Sequence, residues 1–191
     1  MDIHDICGRL FNQTWFPVET YMPQEGFRME ESIAKIVEEH GWYVASITDC
    51  PTPFMYTVGL MHTYDHPELI MFGPDSSMMY SIFATLVVEI SEGTTFTNSG
   101  VYSVNVNDLQ HQIGFRHVDP TQHPLYLGAA MGFMRYIRRF GELEAVQAFL
   151  PDRDGKFPYE VGCELSVYQA QPRLDIELTP EEIRAWERQW E

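Results

Sequence analysis

The chain reads as an α+β protein with a central, mostly antiparallel sheet, open or barrel-like, flanked by about four helices. Three observations predict this. Extended segments come in runs and do not alternate strictly with helices, which disfavours a doubly wound parallel sheet. Met78, Met79, Ile82, Phe83, Leu86, Val87 and Ile90 follow the 3.6-residue period of a helix with one buried face. Tyr102, Val104 and Val106 alternate with Ser103 and Asn105, as in a half-buried strand.

Taken in order, Ile3, Ile6, Cys7, Leu10 and Phe11 have helical spacing behind Asp2, a capping residue. A connector with Pro17, Pro23 and Gly26 follows. A second helix is expected over 30–40, with Ile33, Ile36 and Val37 on one face and Gly41 stopping it. Segments 42–48, 54–60 and 69–72 are rich in aromatic and β-branched residues and are punctuated by Pro51, Pro53 and Pro67. Asp75 or Ser76 caps the helix that carries Met78 to Ile90, and Gly93 ends it. Strands are then expected over 94–96, 101–106 and 112–118. Pro124 opens a long helix to about residue 140, with Arg138 and Arg139 favourable to the dipole in its last turn. Segments 144–150 and 164–169 read as late strands. Thr179-Pro180-Glu181-Glu182 is a capping box for a short final helix. The expected division is an N-terminal helical extension over 1–28, one α+β core over 29–170, and a tail with a short helix over 171–191.

The 191 residues are enough to bury about 70% of the unfolded surface without a metal or disulfide. Twelve Lys and Arg stand against 28 Asp and Glu, a formal charge of −16 that repels nucleic acid and anionic membrane surfaces. The acids are dispersed, with no block of five or six, so a nucleic-acid-mimicking tail is not expected. Cys7, Cys50 and Cys163 form no C-x-x-C pair, and three scattered thiols suit a reducing compartment. Met1-Asp2-Ile3-His4-Asp5 lacks the basic, apolar pattern of a signal peptide, and no apolar run approaches the ~20 residues that span a bilayer. Cytoplasm is the expected location.

Three stretches carry residues suited to chemistry. In His62-Thr63-Tyr64-Asp65-His66-Pro67-Glu68, one helical turn would put His62 and His66 on a shared face, with Asp65 or Glu68 beside them. An H-x-x-x-H pair without a distant third ligand is weak, so a metal is not favoured. Asp152-Arg153-Asp154-Gly155 resembles the start of a calcium loop, but the later ligands are missing and an ordinary turn explains it. His117 and Asp119 lie two apart at a strand end, a spacing that places them on one face. No glycine-rich phosphate loop and no G-x-S-x-G elbow is present, so the sequence names no cofactor and no nucleophile.

His40-Gly41-Trp42, Tyr56-Thr57-Val58-Gly59-Leu60, His66-Pro67-Glu68-Leu69 and Phe72-Gly73, followed by Gln147, Pro151-Asp152, Gly155 and Phe157-Pro158, occur in that order. Over about residues 30–160 the string resembles the bacterial domain-of-unknown-function family numbered 4262. Tyr159 stands where that family generally has Trp, and His62 is not part of its pattern. The family has no agreed activity, so the resemblance implies no catalytic role for any residue.

Tyr56, Thr57, His66, Glu68, Gln147 and Asp152 are polar groups among apolar neighbours, and such groups find partners inside the fold or face a pocket. The expected function is a small-molecule binding or modifying domain, its pocket lying between segments 56–68 and 147–159. His66 would be its acid, base or ligand contact, with Glu68 and Asp152 as orienting or proton-carrying groups. Tyr56, Thr57, Gln147 and Tyr159 would complete the ligand contacts. The alternative is an acidic interaction module that neutralises a basic protein partner, as immunity or anti-defence proteins do. A third reading has the motifs serving folding alone.

Overall fold

The computed structural model describes residues 29–187, apart from 74, 98, 99, 107 and 140. The helix and connector expected before residue 28 lie outside the described residues. Helix α1 (Met29–His40) buries Ile33 and Val37, one turn apart, and ends at Gly41, whose φ of 86° is open to glycine at little cost. Six strands follow: β1 (Tyr43–Ile47), β2 (Phe54–Val58), β3 (Glu68–Phe72), β4 (Val101–Val106), β5 (Leu109–His117) and β6 (Ala145–Phe149). They form one sheet in the order β1-β2-β3-β6-β5-β4. Every neighbouring pair is antiparallel except β3 and β6, which run parallel with Ile70 opposite Gln147. β1 and β4 are opposite edges, so the sheet is open and the barrel-like alternative is not formed.

The two-residue period of the strands sorts the core into two layers. On one face Met55, Leu69, Met71, Ile113, Phe115, Val146 and Ala148 pack against helix α3 (Ser76–Ser91). That helix contributes Met79, Ile82, Phe83, Leu86, Val87 and Ile90, all buried. Asp75 caps it by accepting the amides of Ser77 and Met78 at 2.9 and 3.1 Å. On the other face Phe54, Tyr56, Val58, Ile70 and Phe72 meet α1 and Ala130 and Phe133 of helix α5 (Gly128–Tyr136). β2, β3 and β6 are buried along their whole length, which is why they read as continuous apolar runs.

Three expected elements differ. The long helix of 124–140 is a 3-10 turn (Pro120–Gln122), a short helix α4 (His123–Tyr126) and α5, parted at Leu127. Leu127 is fully buried, so core packing fixes its non-helical backbone against local propensity. The expected strand over 164–169 is helix α6 (Leu165–Ala170), with no buried residue. Both edges of β6 are already occupied by β3 and β5, which leaves no ladder there for another strand to join. Segment 94–96 also joins no ladder, because its Phe96 is drawn wholly into the α3 core. The final helix α7 (Pro180–Glu187) does start with the expected box: Glu182 accepts from the Thr179 amide at 2.8 Å and donates its own amide to Thr179 Oγ1 at 3.3 Å. No helix among the described residues is long and apolar enough to cross a membrane.

Candidate functional site

The chain turns from β2 into a single helical turn, α2 (Leu60–Thr63), through Gly59 at φ 106°, where a Cβ would strike Val37 at 2.7 Å. The amides that open α2 point at the carboxylate of Glu68, the first residue of β3, which is 1% exposed. Glu68 accepts from Thr57 Oγ1 at 2.7 Å, Gly59 N at 2.8 Å, and Leu60 N and Met61 N at 3.3 Å each. A buried carboxylate thus satisfies the helix-start donors from a distant strand. Burial pushes the Glu68 carboxyl above the usual carboxylate range, against the pull of the Thr57 hydroxyl and the three amides.

His66 is also buried. Its Nε2 accepts the Phe96 amide at 3.0 Å, so the proton sits on Nδ1, which donates to the Pro67 carbonyl at 2.6 Å. Burial lowers its pKa, opposed by the Pro67 hydrogen bond. Both ring nitrogens are engaged, and the ring fastens segment 94–97 to the start of β3. His62 lies exposed, edge-on to Phe133 at 6.0 Å, so the two histidines do not share a face. Asp65, at φ 53°, is exposed and pairs with Arg139 at 3.2 Å. Arg139 donates as well to the Met61 carbonyl. Among the described residues no group of three or more His, Cys, Asp or Glu is placed to hold a metal ion.

The remaining expected residues are distributed over the far side of the sheet and its end. Tyr56 accepts the Ala129 amide on its hydroxyl at 3.1 Å, fixing the start of α5. Gln147 is wholly buried; its Oε1 accepts from Leu174 N at 2.9 Å and its Nε2 donates to Pro172 O at 2.7 Å. Tyr159 lies under the Arg116 guanidinium at 3.6 Å and stacks on Phe157, the two rings only 5° from parallel. Asp152 closes a turn by accepting the amides of Asp154 and Lys156 at 2.9 Å and that of Glu164 at 2.8 Å. The amides of Lys156 and Glu164 hold its carboxyl below the usual range. Of these residues the structure brings Thr57 and Glu68 into contact and lays Gln147 on the strand beside them. His66, Tyr56, Asp152 and Tyr159 each serve a separate contact.

Sequence reasoning missed the glutamines that work with Gln147. Gln171 pairs with both backbone groups of Leu150, at 2.8 and 2.9 Å, as a strand neighbour would. Gln122 donates to Ile176 O at 2.9 Å, and Thr121 Oγ1 accepts Leu178 N at 2.9 Å. Together they strap 171–178 across the domain. The available signal was a carboxamide inside the apolar run Ala145-Val146-Gln147-Ala148-Phe149.

A cavity of about 230 Å³ lies elsewhere, lined by Asp75, Ser77, Met78 and Ser81 of α3 and by Val106, Leu109 and His111 of the β4–β5 hairpin. It belongs to a part of the chain without cations. Between Lys35 and Arg116 there is no Lys or Arg, whereas Glu38, Glu39, Asp49, Asp65, Glu68, Asp75, Glu89, Glu92 and Asp108 all fall there. Only Glu68 of these is buried. Glu89 has its pKa raised by burial and by the charge of Glu92.

The open six-stranded sheet, covered by α3 on one face and by α1 and α5 on the other, and pinned by buried Glu68, His66 and Gln147, defines a mixed α+β domain. Residues 36–164 match the family described as domain of unknown function (DUF4262), and the chain belongs to that family. No curated protein and no solved structure matches the chain.

Proposed function

We propose that this domain is an acidic interaction module that binds and neutralises a basic protein partner. The observation that carries this reading is the run from Lys35 to Arg116, free of cations yet rich in exposed carboxylates, within a chain of charge −16. Arg139 offsets Asp65 locally, but a net excess of exposed carboxylates of this kind accelerates encounter with an oppositely charged protein and disfavours acidic ones. The buried polar groups support the same reading, since Thr57, His66, Glu68 and Gln147 all hold backbone in place.

A second reading keeps the small-molecule domain built on segments 56–68 and 147–159. What favours it is that Glu68 and His66 are buried and shifted in pKa, a combination that clusters at functional sites. Native mass spectrometry of the protein, purified gently from its own lysate at low salt, separates the two. The first reading expects a stoichiometric basic protein that is released as salt is raised. A retained small molecule, lost in His66→Ala, would replace it with the second, and a bare protein would overturn both.

A further inference from the structure

We propose that the cavity between α3 and the β4–β5 hairpin receives an arginine side chain of the basic partner, an inference that rests on the interaction reading above. Its volume of about 230 Å³ is below the ~300–1,000 Å³ of pockets that take cofactors and drug-sized ligands, and suits a single extended side chain. The lining has two chemistries. Met78, Val106 and Leu109 give apolar walls for a methylene stem, while Asp75, Ser77 and Ser81 bring acceptors and His111 brings an imidazole ring. Long cationic side chains bury their stems and keep their heads on polar groups, and a planar guanidinium stacks on rings and meets carboxylates through two donors.

The charge around the cavity selects a cation over an anion. A helix start ordinarily favours anions, but Asp75 already takes the Ser77 and Met78 amides, which neutralises that end of α3. Ser81 donates its hydroxyl proton to Ser77 O at 2.9 Å, so its oxygen is left to accept from an incoming donor. Asp108, exposed in the hairpin turn next to Leu109, does not line the cavity but adds negative charge to the hairpin. α3 and β4 carry no Lys or Arg, and the one cation of β5, Arg116, lies over the Tyr159 ring and does not line the cavity. Leu109 is 64% exposed at the rim, a large apolar side chain that an arginine stem would cover.

The test is an amide chemical-shift titration of the full ¹⁵N-labelled chain with N-acetyl-arginine amide at constant ionic strength, with the lysine analogue in parallel. Saturable shifts are expected at Ser77, Met78, Ser81, Leu109 and His111, with the lysine compound at least threefold weaker. Asp75→Asn keeps a good cap and removes the charge, and should weaken binding at least fivefold. Leu109→Lys places a competing cation at the rim of an exposed position and should abolish it. Thermal midpoints of both variants check that the fold is kept. Shifts scattered over the acidic surface, or equal binding by Asp75→Asn, would overturn the proposal. Failure here with a basic protein still captured from the lysate removes the cavity and leaves the interaction reading. A local arginine shift with no basic protein captured removes the interaction reading and leaves a cavity that binds arginine.

Discussion

The Thr57 hydroxyl donates to the Glu68 carboxylate at 2.7 Å and accepts the Leu69 amide at 2.8 Å, joining β2 to β3 where their backbone pairing ends. Through Glu68 this one contact reaches the three amides that open α2. Glu68→Ala leaves a buried hydroxyl and three amides without their acceptor, and each orphaned buried group costs about 1–3 kcal/mol before relaxation. Unfolding in urea should show a loss of at least about 3 kcal/mol, with Glu68→Gln between it and the parent. A loss under about 1 kcal/mol would mean that water or backbone replaces the carboxylate, and the capping account would fail.

Gln147 predicts a local effect. In Gln147→Leu the Leu174 amide and the Pro172 carbonyl lose their partners while the apolar volume stays similar. Stability should drop by about 1–3 kcal/mol. The more specific sign is faster hydrogen exchange at Leu174, with proteolytic cleavage in 171–187 preceding global unfolding. Uniformly faster exchange across β3 and β6 would instead show that Gln147 supports the sheet and not the strap.

The split between what the residues announced and what they concealed has a physical basis. α3 was legible because Asp75, the Met79-to-Ile90 stripe and Gly93 state the same helix three ways. β2, β3 and β6 were legible as apolar runs bounded by proline and glycine. The break at Leu127 was not, because it is imposed by a core contact that no local pattern encodes. α6 was missed for the reverse reason: with no buried residue, Leu165–Ala170 carries no periodic signal. His66, Glu68 and Gln147 stood out as polar residues in apolar surroundings, but whether such a group faces a ligand or a backbone amide depends on partners as far away as Phe96 and Leu174. The cavity of Asp75, Leu109 and His111 was concealed because its two walls, 75–81 and 106–111, come from separate stretches of the sequence.

Gly114 gives a steric prediction. A Cβ there would collide with the Tyr159 hydroxyl and approach the Phe157 ring at 3.0 Å. Gly114→Ala must therefore push the stacked pair off β5, at a cost of about 1–3 kcal/mol, and weaken the tyrosine signal in near-ultraviolet circular dichroism. Tyr159→Phe removes the colliding oxygen, so the double variant should regain part of the loss. If the two substitutions merely add, the collision is not the cause.

His66 and His123 set the response to acid. Both are buried, and burial lowers both pKa values. For His123 a hydrogen bond with the Val118 backbone and the charges of Asp119 and Glu142 work the other way. His123 Nε2 has no hydrogen-bond partner among the described residues, so a proton arriving there would be buried without an acceptor. Folded-state values below the unfolded value of about 6.5 mean that the stabilisation is complete above that pH and is lost as pH falls through the folded values. Glu68 has the opposite sign: its raised folded value contributes stability that is full below the unfolded carboxyl range and is lost as pH rises through the folded value. The histidine contribution is therefore read as a difference between proteins. Urea unfolding at pH 7.5, 6.0 and 5.0 should show His123→Gln losing less stability on acidification than the parent, by up to about 1.4 kcal/mol per pH unit. Parallel losses in the two proteins would mean that His123 binds its proton equally well folded and unfolded, and would remove it from the acid response.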